Sequence, residues 1–178
     1  MLTPTICRMK VEAQRLAGSA QPGQFLIVRA DEQGERIPLT ISDYDRNAGT
    51  VTIVTQKIGA STTEICTYEE GDSFADVVGP LGVPSDFTEM SSEELAGKKY
   101  VFIAGGVGTA PVYPQVKWLH ERGVAVDVII GAKTRDLVIY KEEMAAVCDN
   151  LYICTDDGSE GFKGLVTAML EKLVNEDG

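Results

Sequence analysis

The hydrophobic rhythm of the chain changes once, near its middle, and this constrains the fold more than any other feature. Before the change, apolar and polar residues alternate in short runs at Thr5–Val11, Gln24–Ala30, Thr50–Lys57 and Ser73–Val78. Period-two alternation marks strands with one face on a core. Turn-forming residues separate the runs at Asp31–Gly34, Asp45–Gly49 and Gly79–Gly82. Closely spaced strands of this kind predict an antiparallel barrel or sandwich. One helix is expected among them, Ser61–Tyr68, capped by Ser61 or Thr62.

After the change, apolar strands alternate with helical stretches. Tyr100–Ala104 is wholly apolar, and a helix is expected from about Ala110 to Arg122. The pattern repeats with a strand over Val124–Gly131, a helix over Asp136–Cys148, a strand over Leu151–Thr155 and a helix over Val166–Asn175. Strands that are apolar on both faces, each followed by a helix, predict a parallel sheet covered on both sides. The polar stretch Phe87–Lys98 separates the halves, giving domains over about 1–90 and 98–178.

Charge and cysteine usage narrow the function. Twenty-seven Asp and Glu against 16 Lys and Arg leave a net charge of −11. There is no basic stripe to neutralise phosphates, which argues against nucleic acid as a partner. No stretch is long and apolar enough for a membrane span, and the N-terminal residues carry no secretory pattern. The four cysteines, Cys7, Cys66, Cys148 and Cys154, show no common metal spacing. They read as free thiols of a cytoplasmic protein, with no metal or iron–sulfur site in this chain.

The most informative stretch is Ala104-Gly105-Gly106-Val107-Gly108-Thr109-Ala110-Pro111. It follows an apolar strand and opens a helix. Glycines let the backbone turn sharply and approach a ligand, Thr109 can cap the helix, and Pro111 suits its first turn. The free N–H groups and the helix dipole favour an anion such as a pyrophosphate. The bland alternative is a tight turn without a ligand. It is not the common dinucleotide fingerprint: Pro111 stands where a third glycine would, and the second strand ends in Lys133-Thr134-Arg135 rather than an acid. Either these cations are a solvated loop or Arg135 accommodates a 2′-phosphate. Asp156-Asp157-Gly158-Ser159, with Gly161 and Gly164, follows the third strand, where open α/β sheets hold ligands. A plain glycine-rich turn is the competing reading.

In the first half, Arg36-Ile37-Pro38-Leu39-Thr40-Ile41 sets a proline in an apolar run, which predicts a strand at an edge or cleft. Arg36 and Thr40 can serve a ring carbonyl or a phosphate. Gly59-Ala60-Ser61-Thr62-Thr63 follows at a helix start.

The ordered set Pro22–Phe25, Arg36–Ile41, Gly59–Thr63, Gly71-Asp72, Gly79–Gly82, Ala104–Pro111 and Asp156–Gly164 resembles the ferredoxin–NADP reductase superfamily. The likeness runs to the small flavoprotein subunits of NADH-dependent ferredoxin:NADP oxidoreductases (sulfide dehydrogenase), with dihydroorotate dehydrogenase electron-transfer subunits as near relatives. It implies an N-terminal antiparallel Greek-key β-barrel that binds FAD and a C-terminal parallel α/β domain, incomplete here, that binds NAD(H) or NADP(H). It also implies that Arg36, Pro38, Leu39, Thr40, Val54, Thr55, Gln56, Ser61 and Thr62 hold the flavin, and that Gly105, Gly106, Gly108, Thr109, Asp156 and Asp157 face the nicotinamide nucleotide. Ile37, Leu39 and Thr55 depart from the arginine and aromatics many reductases carry there. The implied activity is a flavin oxidoreductase passing electrons between NAD(P)H, FAD and a larger iron–sulfur partner subunit or ferredoxin. A 2Fe-2S centre and one further strand are expected in longer family members, which makes this chain a fragment. No acid–base residue is required, so His120 is expected to be structural. The rival readings are a dihydroorotate dehydrogenase electron-transfer subunit and a non-catalytic nucleotide-binding assembly module.

Overall fold

Alternation in the first half becomes five strands: β1 (Ile6–Glu12), β2 (Phe25–Arg29), β3 (Arg36–Asp45), β4 (Thr50–Gln56) and β5 (Asp76–Leu81). The computed structural model describes residues 1–177. The strands form one antiparallel sheet in the order β1-β4-β3-β2-β5. Consecutive hairpins join β2, β3 and β4, and β1 lies beside β4, which is Greek-key order. The core holds Leu26, Val28, Ile41, Val51 and Ile53, all at most 1% exposed. Each such side chain contributes about 1.5–3 kcal/mol by leaving water.

Two short helices complete this core. α1 (Gln14–Ser19) buries Leu16 and Ala17. Six residues are too few to display a helical period, so the sequence reading passed over it. α2 (Ala60–Ile65) buries Ile65. Its N-cap is Gly59 rather than Ser61 or Thr62, and Thr62 instead accepts the Ile58 and Gly59 N–H groups on its hydroxyl, both at 3.0 Å. The helix therefore starts before both residues expected to cap it.

The second unit begins at Glu89; the division of the chain falls between Thr88 and Glu89. Its sheet has the order β6-β7-β8-β9, with β6 (Tyr100–Gly105), β7 (Val126–Ala132), β8 (Asn150–Thr155) and a two-residue β9 (Phe162–Lys163), all parallel. α3 (Ser92–Ala96) interrupts the stretch read as a linker. Ser91 and Glu94 form a capping box there, a signature visible in the sequence as S-x-x-E. α4 (Thr109–His120) buries Val116 and Leu119, and α6 (Val166–Asp177) packs Met169 on Ile129 and Cys154. The helix expected over Asp136–Cys148 is shorter. Tyr140 adopts a left-handed φ of 60°, so a 3-10 turn at Arg135–Leu137 stays separate from α5 (Lys141–Ala145). The expectation of an antiparallel β unit followed by a parallel α/β unit holds. Among the described residues, no helix is long and apolar enough to cross a membrane.

The four cysteines are not all free. Cys7 at the start of β1 and Cys66 at the end of α2 form a disulfide, with Cα atoms 5.6 Å apart. Cys148 and Cys154 are free, and burial pushes the Cys148 thiol up to about 11. Spacing could not reveal the bridge, because 59 positions separate its ends and only the folding of α2 onto the sheet brings them together. A loop of that size should make the bridge worth about 2–4 kcal/mol. Urea unfolding with and without dithiothreitol tests this: the reduced protein should lose roughly that much, and a Cys66→Ala variant should be insensitive to the reductant.

Candidate functional site

β3 changes partners along its length, and this creates the notable feature of the first unit. Arg36–Thr40 pair with Arg29–Phe25 of β2, whereas the ladder between β3 and β4 covers only Ile41–Asp45 and Thr50–Ile53. Beyond the Ile41–Ile53 pair the two strands have no register with each other. Pro38, Leu39 and Thr40 on one side and Val54, Thr55 and Gln56 on the other therefore flank an opening in the sheet. The chemistry of proline explains where it lies. The Ile41 N–H donates to Gln24 of the β2 side at 3.1 Å, so the odd-numbered residues of β3 bond β2 and the even-numbered ones face β4. Pro38 thus turns its nitrogen, which has no hydrogen, toward β4 and cannot continue that ladder. The expected edge or cleft is this half of β3, although β3 is an inner strand of the sheet.

Side chains sort by parity around the opening. Ile37 and Leu39 pack against the core, while Arg36, Pro38 and Thr40 share the other face. That face continues through Phe25, Ile27 and Arg29 of β2 to Asp76, Val78 and Leu81 of β5, of which only Phe25 and Leu81 belong to the motifs named in the sequence. Asp76 pairs with both Arg36 (3.2 Å) and Arg29 (3.5 Å). Thr55 lies opposite Cys7 and so faces away from Val54 and Gln56; its hydroxyl is buried without a hydrogen-bond partner. The Ser61 hydroxyl donates to Glu35 at 2.7 Å, tying the start of α2 to the start of β3. A flat ligand in the opening can meet the Pro38 and Thr40 side chains and either Val54 and Gln56 or Thr55, with the backbone of Pro38, Thr40, Val54 and Gln56 turned into the breach while that of Leu39 bonds β2 and that of Thr55 bonds β1.

In the second unit the chain leaves β6 at Gly105, makes a 3-10 turn over Gly106–Gly108 and enters α4 at Thr109. Gly106 has φ +53°, and a Cβ on Gly106 or Gly108 would meet nothing within 4 Å. The glycines therefore border open space above the helix start. Gly108 caps α4, and Thr109 is its first residue rather than its cap. Thr109 is fully buried with no partner for its hydroxyl, at a helix N-terminus where unpaired donors favour an anion. These observations fit a phosphate-bearing nucleotide.

The loop after β8 lies beside the loop after β7. The Asp156 and Asp157 N–H groups donate to Ala132 and Lys133 carbonyls, and the Arg135 N–H donates to the Ser159 hydroxyl at 2.8 Å. The Ser159 hydroxyl and N–H both donate to Asp157, holding its carboxyl below the usual carboxylate range. Asp157 thus shapes the loop, and Asp156 remains exposed beside it. Arg135 is exposed and 3.8 Å from Asp136. Gly131 has a role that sequence did not reveal: a Cβ there would come within 2.5 Å of Val166, so its absence lets α6 lie on the sheet. Among the described residues no cluster of three or more His, Cys, Asp and Glu side chains converges as a metal would require.

No family model matches the chain. A Clostridium beijerinckii protein described as "Uncharacterized protein in adh 3'region" is 57% identical over 177 residues, 99% of this chain and 60% of that protein. The dihydroorotate dehydrogenase B (NAD(+)) electron transfer subunit homolog of Thermotoga maritima is 40% identical, over 93% of this chain and 56% of its own length. The dihydroorotate dehydrogenase B (NAD(+)) electron transfer subunit of Streptococcus pneumoniae is 31% identical, over 97% of this chain and 67% of its own. A solved structure of an NADH-dependent reduced ferredoxin-NADP oxidoreductase, described in the context of flavin-based electron bifurcation, superposes with a TM-score of 0.89 at 35% identity, over 99% of this chain and 61% of that one. An antiparallel β unit followed by a parallel α/β unit is thus the ferredoxin reductase-like fold. The chain belongs to the family of dihydroorotate dehydrogenase B electron-transfer subunits, within the ferredoxin–NADP reductase superfamily. It spans about 60% of the length of the first relatives it matches.

Thr109→Val tests the nucleotide reading with opposite signs for fold and ligand. Replacing an orphan hydroxyl with a methyl should leave the unfolding temperature unchanged or raise it. Losing one hydrogen bond to a charged group should weaken NADH about tenfold or more, as 1.5–3 kcal/mol implies. Thermal melting and an NADH titration read the two effects.

Proposed function

We propose that this chain is the flavin- and nicotinamide-nucleotide-binding part of an electron-transfer subunit, holding FAD in its first unit and NAD(H) or NADP(H) in its second. The observation that carries the reading is the breach between β3 and β4, because residues that the family resemblance implies for the flavin border it on both sides. Bound together, the two cofactors supply hydride transfer from reduced nicotinamide to flavin, and the chemistry is theirs.

The protein's own part is binding and orientation. Pro38 keeps the breach open, so the backbone groups of Arg36, Pro38 and Thr40 and of Val54 and Gln56 that face it can hydrogen-bond a ring edge rather than each other. Arg36 carries the positive charge for a phosphate, and Asp76 and Glu35 hold Arg36 and Ser61 in place. Thr62 spends its hydroxyl on its own loop and so acts on the ligand through the backbone it fixes. Gly105, Gly106 and Gly108 leave room for a pyrophosphate at the α4 N-terminus, with Thr109 as its hydroxyl donor. Asp156 is available to a nucleotide hydroxyl, and Asp157 keeps that loop in shape. Electrons then pass to a larger iron–sulfur partner subunit or to ferredoxin. The relatives named as dihydroorotate dehydrogenase subunits support a second reading, in which the partner is that enzyme's other subunit.

The first experiment is an absorption spectrum of the purified protein, followed by denaturation and chromatography of the released flavin. FAD is expected. FMN alone would refute the assignment of Ser61 and Thr62, and a protein that is colourless and cannot be reconstituted would remove the flavin reading altogether. NADH oxidation with an artificial acceptor distinguishes an oxidoreductase from a binding module.

Gly108→Val tests the second unit. Gly108 has φ −64°, open to any residue, and space around its Cβ position, so the fold should tolerate valine while the branch fills the cradle. Loss of about two N–H contacts at 1.5–3 kcal/mol each predicts NADH affinity at least about a hundredfold weaker. Flavin content and melting temperature should stay unchanged. Unchanged NADH affinity in a folded, flavin-loaded variant would make this loop a structural turn only.

A further inference from the structure

One covalent tie closes a loop beside the candidate flavin site. Cys7 lies directly opposite Thr55 in the ladder between β1 and β4. Cys66, the C-cap of α2, is bonded to Cys7. The Cys66 sulfur also lies 3.6 Å from the Thr55 carbonyl oxygen. The segment 55–66 therefore leaves the sheet at Thr55, passes through α2 and returns to the place it left. That loop carries Thr55, Gln56, Ser61 and Thr62, four of the residues that the family resemblance implies for the flavin.

The other restraints on α2 are slight. It has six residues and buries only Ile65, and a helix of that length does not hold by itself in water. On its N-terminal side the Thr62 hydroxyl serves Ile58 and Gly59 of the same loop, and the hydrogen bond from Ser61 to Glu35 is exposed. Beyond its C-cap, the Tyr68 hydroxyl donates to the Ala30 carbonyl at 3.1 Å. The bridge is thus what ties the end of α2 to the sheet at the level of Thr55. Cys7 is buried and Cys66 half-buried, so Cys66 is the end that an incoming thiol reaches.

We propose that the Cys7–Cys66 bridge is a redox switch on flavin retention: when formed it pins α2 against β4 and holds FAD tightly, and when a dithiol reduces it α2 loosens and FAD is released. The inference rests on the placing of FAD in the first unit. The step is thiol–disulfide exchange. One thiolate of the dithiol attacks the Cys66 sulfur, the bond between Cys7 and Cys66 breaks, and Cys7 leaves as a thiolate that takes up a proton. The second thiolate of the reductant then attacks its own sulfur in the mixed disulfide and releases Cys66, which is protonated in turn. Two electrons and two protons pass to the bridge, and the reductant ends as a cyclic disulfide. In the reduced protein FAD must capture α2 in place, so its apparent affinity falls with the fraction of molecules in which the helix is docked.

The test is a titration of the flavin-free protein with FAD, read by flavin fluorescence, after oxidation with oxidised glutathione or reduction with dithiothreitol. Mass spectrometry of alkylated peptides reads the state of Cys7 and Cys66 separately from Cys148 and Cys154, which lie outside the bridge. All measurements are made well below the melting temperature of the reduced form. Reduction should raise the FAD dissociation constant about tenfold, a difference of about 1.4 kcal/mol, and reoxidation should restore it. Cys66→Ala should bind FAD as the reduced protein does and ignore the reductant; should that variant fail to fold, the parent protein in its two redox states carries the comparison. Hydrogen exchange on the flavin-free protein separates a switch from a plain staple. Reduction should speed exchange at 60–66 by a larger factor than in β2 and β3, because the change is a local opening of α2. Speeding that is equal or greater in β2 and β3 overturns the inference. Equal FAD affinity in the two redox states also overturns it, and leaves the flavin reading intact. FAD bound by neither state removes the flavin reading and this inference with it. Alkylation of both Cys7 and Cys66 in the oxidised protein would show that no bridge forms and overturn the inference alone.

Discussion

The arrangement of the first unit depends on a hydrogen bond that cannot form. Pro38 has no N–H to offer β4, so β3 bonds β2 alone along its first half and takes up β4 only from Ile41 onward, where the register shifts between Ile41 and Asp43. An inner strand of a sheet thereby acquires a local edge. The surrounding residues are consistent with that break. Ile37 and Leu39 anchor the split strand on the core, and Asp76 gathers Arg29 and Arg36 on the opposite face. Glu35 receives the Ser61 hydroxyl, so the α2 region is connected to the same end of β3. The backbone around the breach keeps hydrogen-bonding capacity that an uninterrupted sheet would have consumed.

The second unit presents its capacity at strand ends instead. Parallel strands deliver Gly105, Ala132 and Thr155 to one edge of the sheet, and the helix that follows β6 adds its unpaired donors there. Glycines serve two separate purposes in this unit. Gly106 and Gly108 keep space open, whereas Gly131 gives its space to Val166 of α6. The Thr109 hydroxyl is buried with no hydrogen-bond partner among the described residues, and a buried polar group without one costs about 1–3 kcal/mol.

Much of this was legible in the sequence. Period-two runs placed β1, β2 and β4 to within a residue or two, and the β6–Gly–α4 unit could be read from one apolar strand followed by glycines. The ordered motifs pointed to the ferredoxin–NADP reductase superfamily, to which the chain belongs. Short helices were missed or misplaced where five or six residues cannot show a period, as at α1, or where a polar stretch hid a capping box, as at α3. The cap of α2 fell on Gly59, where extended backbone and a contact with the Thr62 hydroxyl set the helix start, and that of α4 fell on Gly108, which runs straight on from the 3-10 turn; neither start followed the preference of serine and threonine for capping.

The sequence by itself determined the two units, their strand and helix character and the glycine and proline positions, because these follow from local propensity and from the period of the apolar residues. Only the tertiary structure decided which residues share a face and which edges stay open. Leu39 turned to the core while Pro38 and Thr40 turned away, and Thr55 parted from Val54 and Gln56. Cys7 met Cys66 across 59 positions. These outcomes depend on register and on long-range packing, and a one-residue change of register would reverse every face without altering the pattern from which the strands were read.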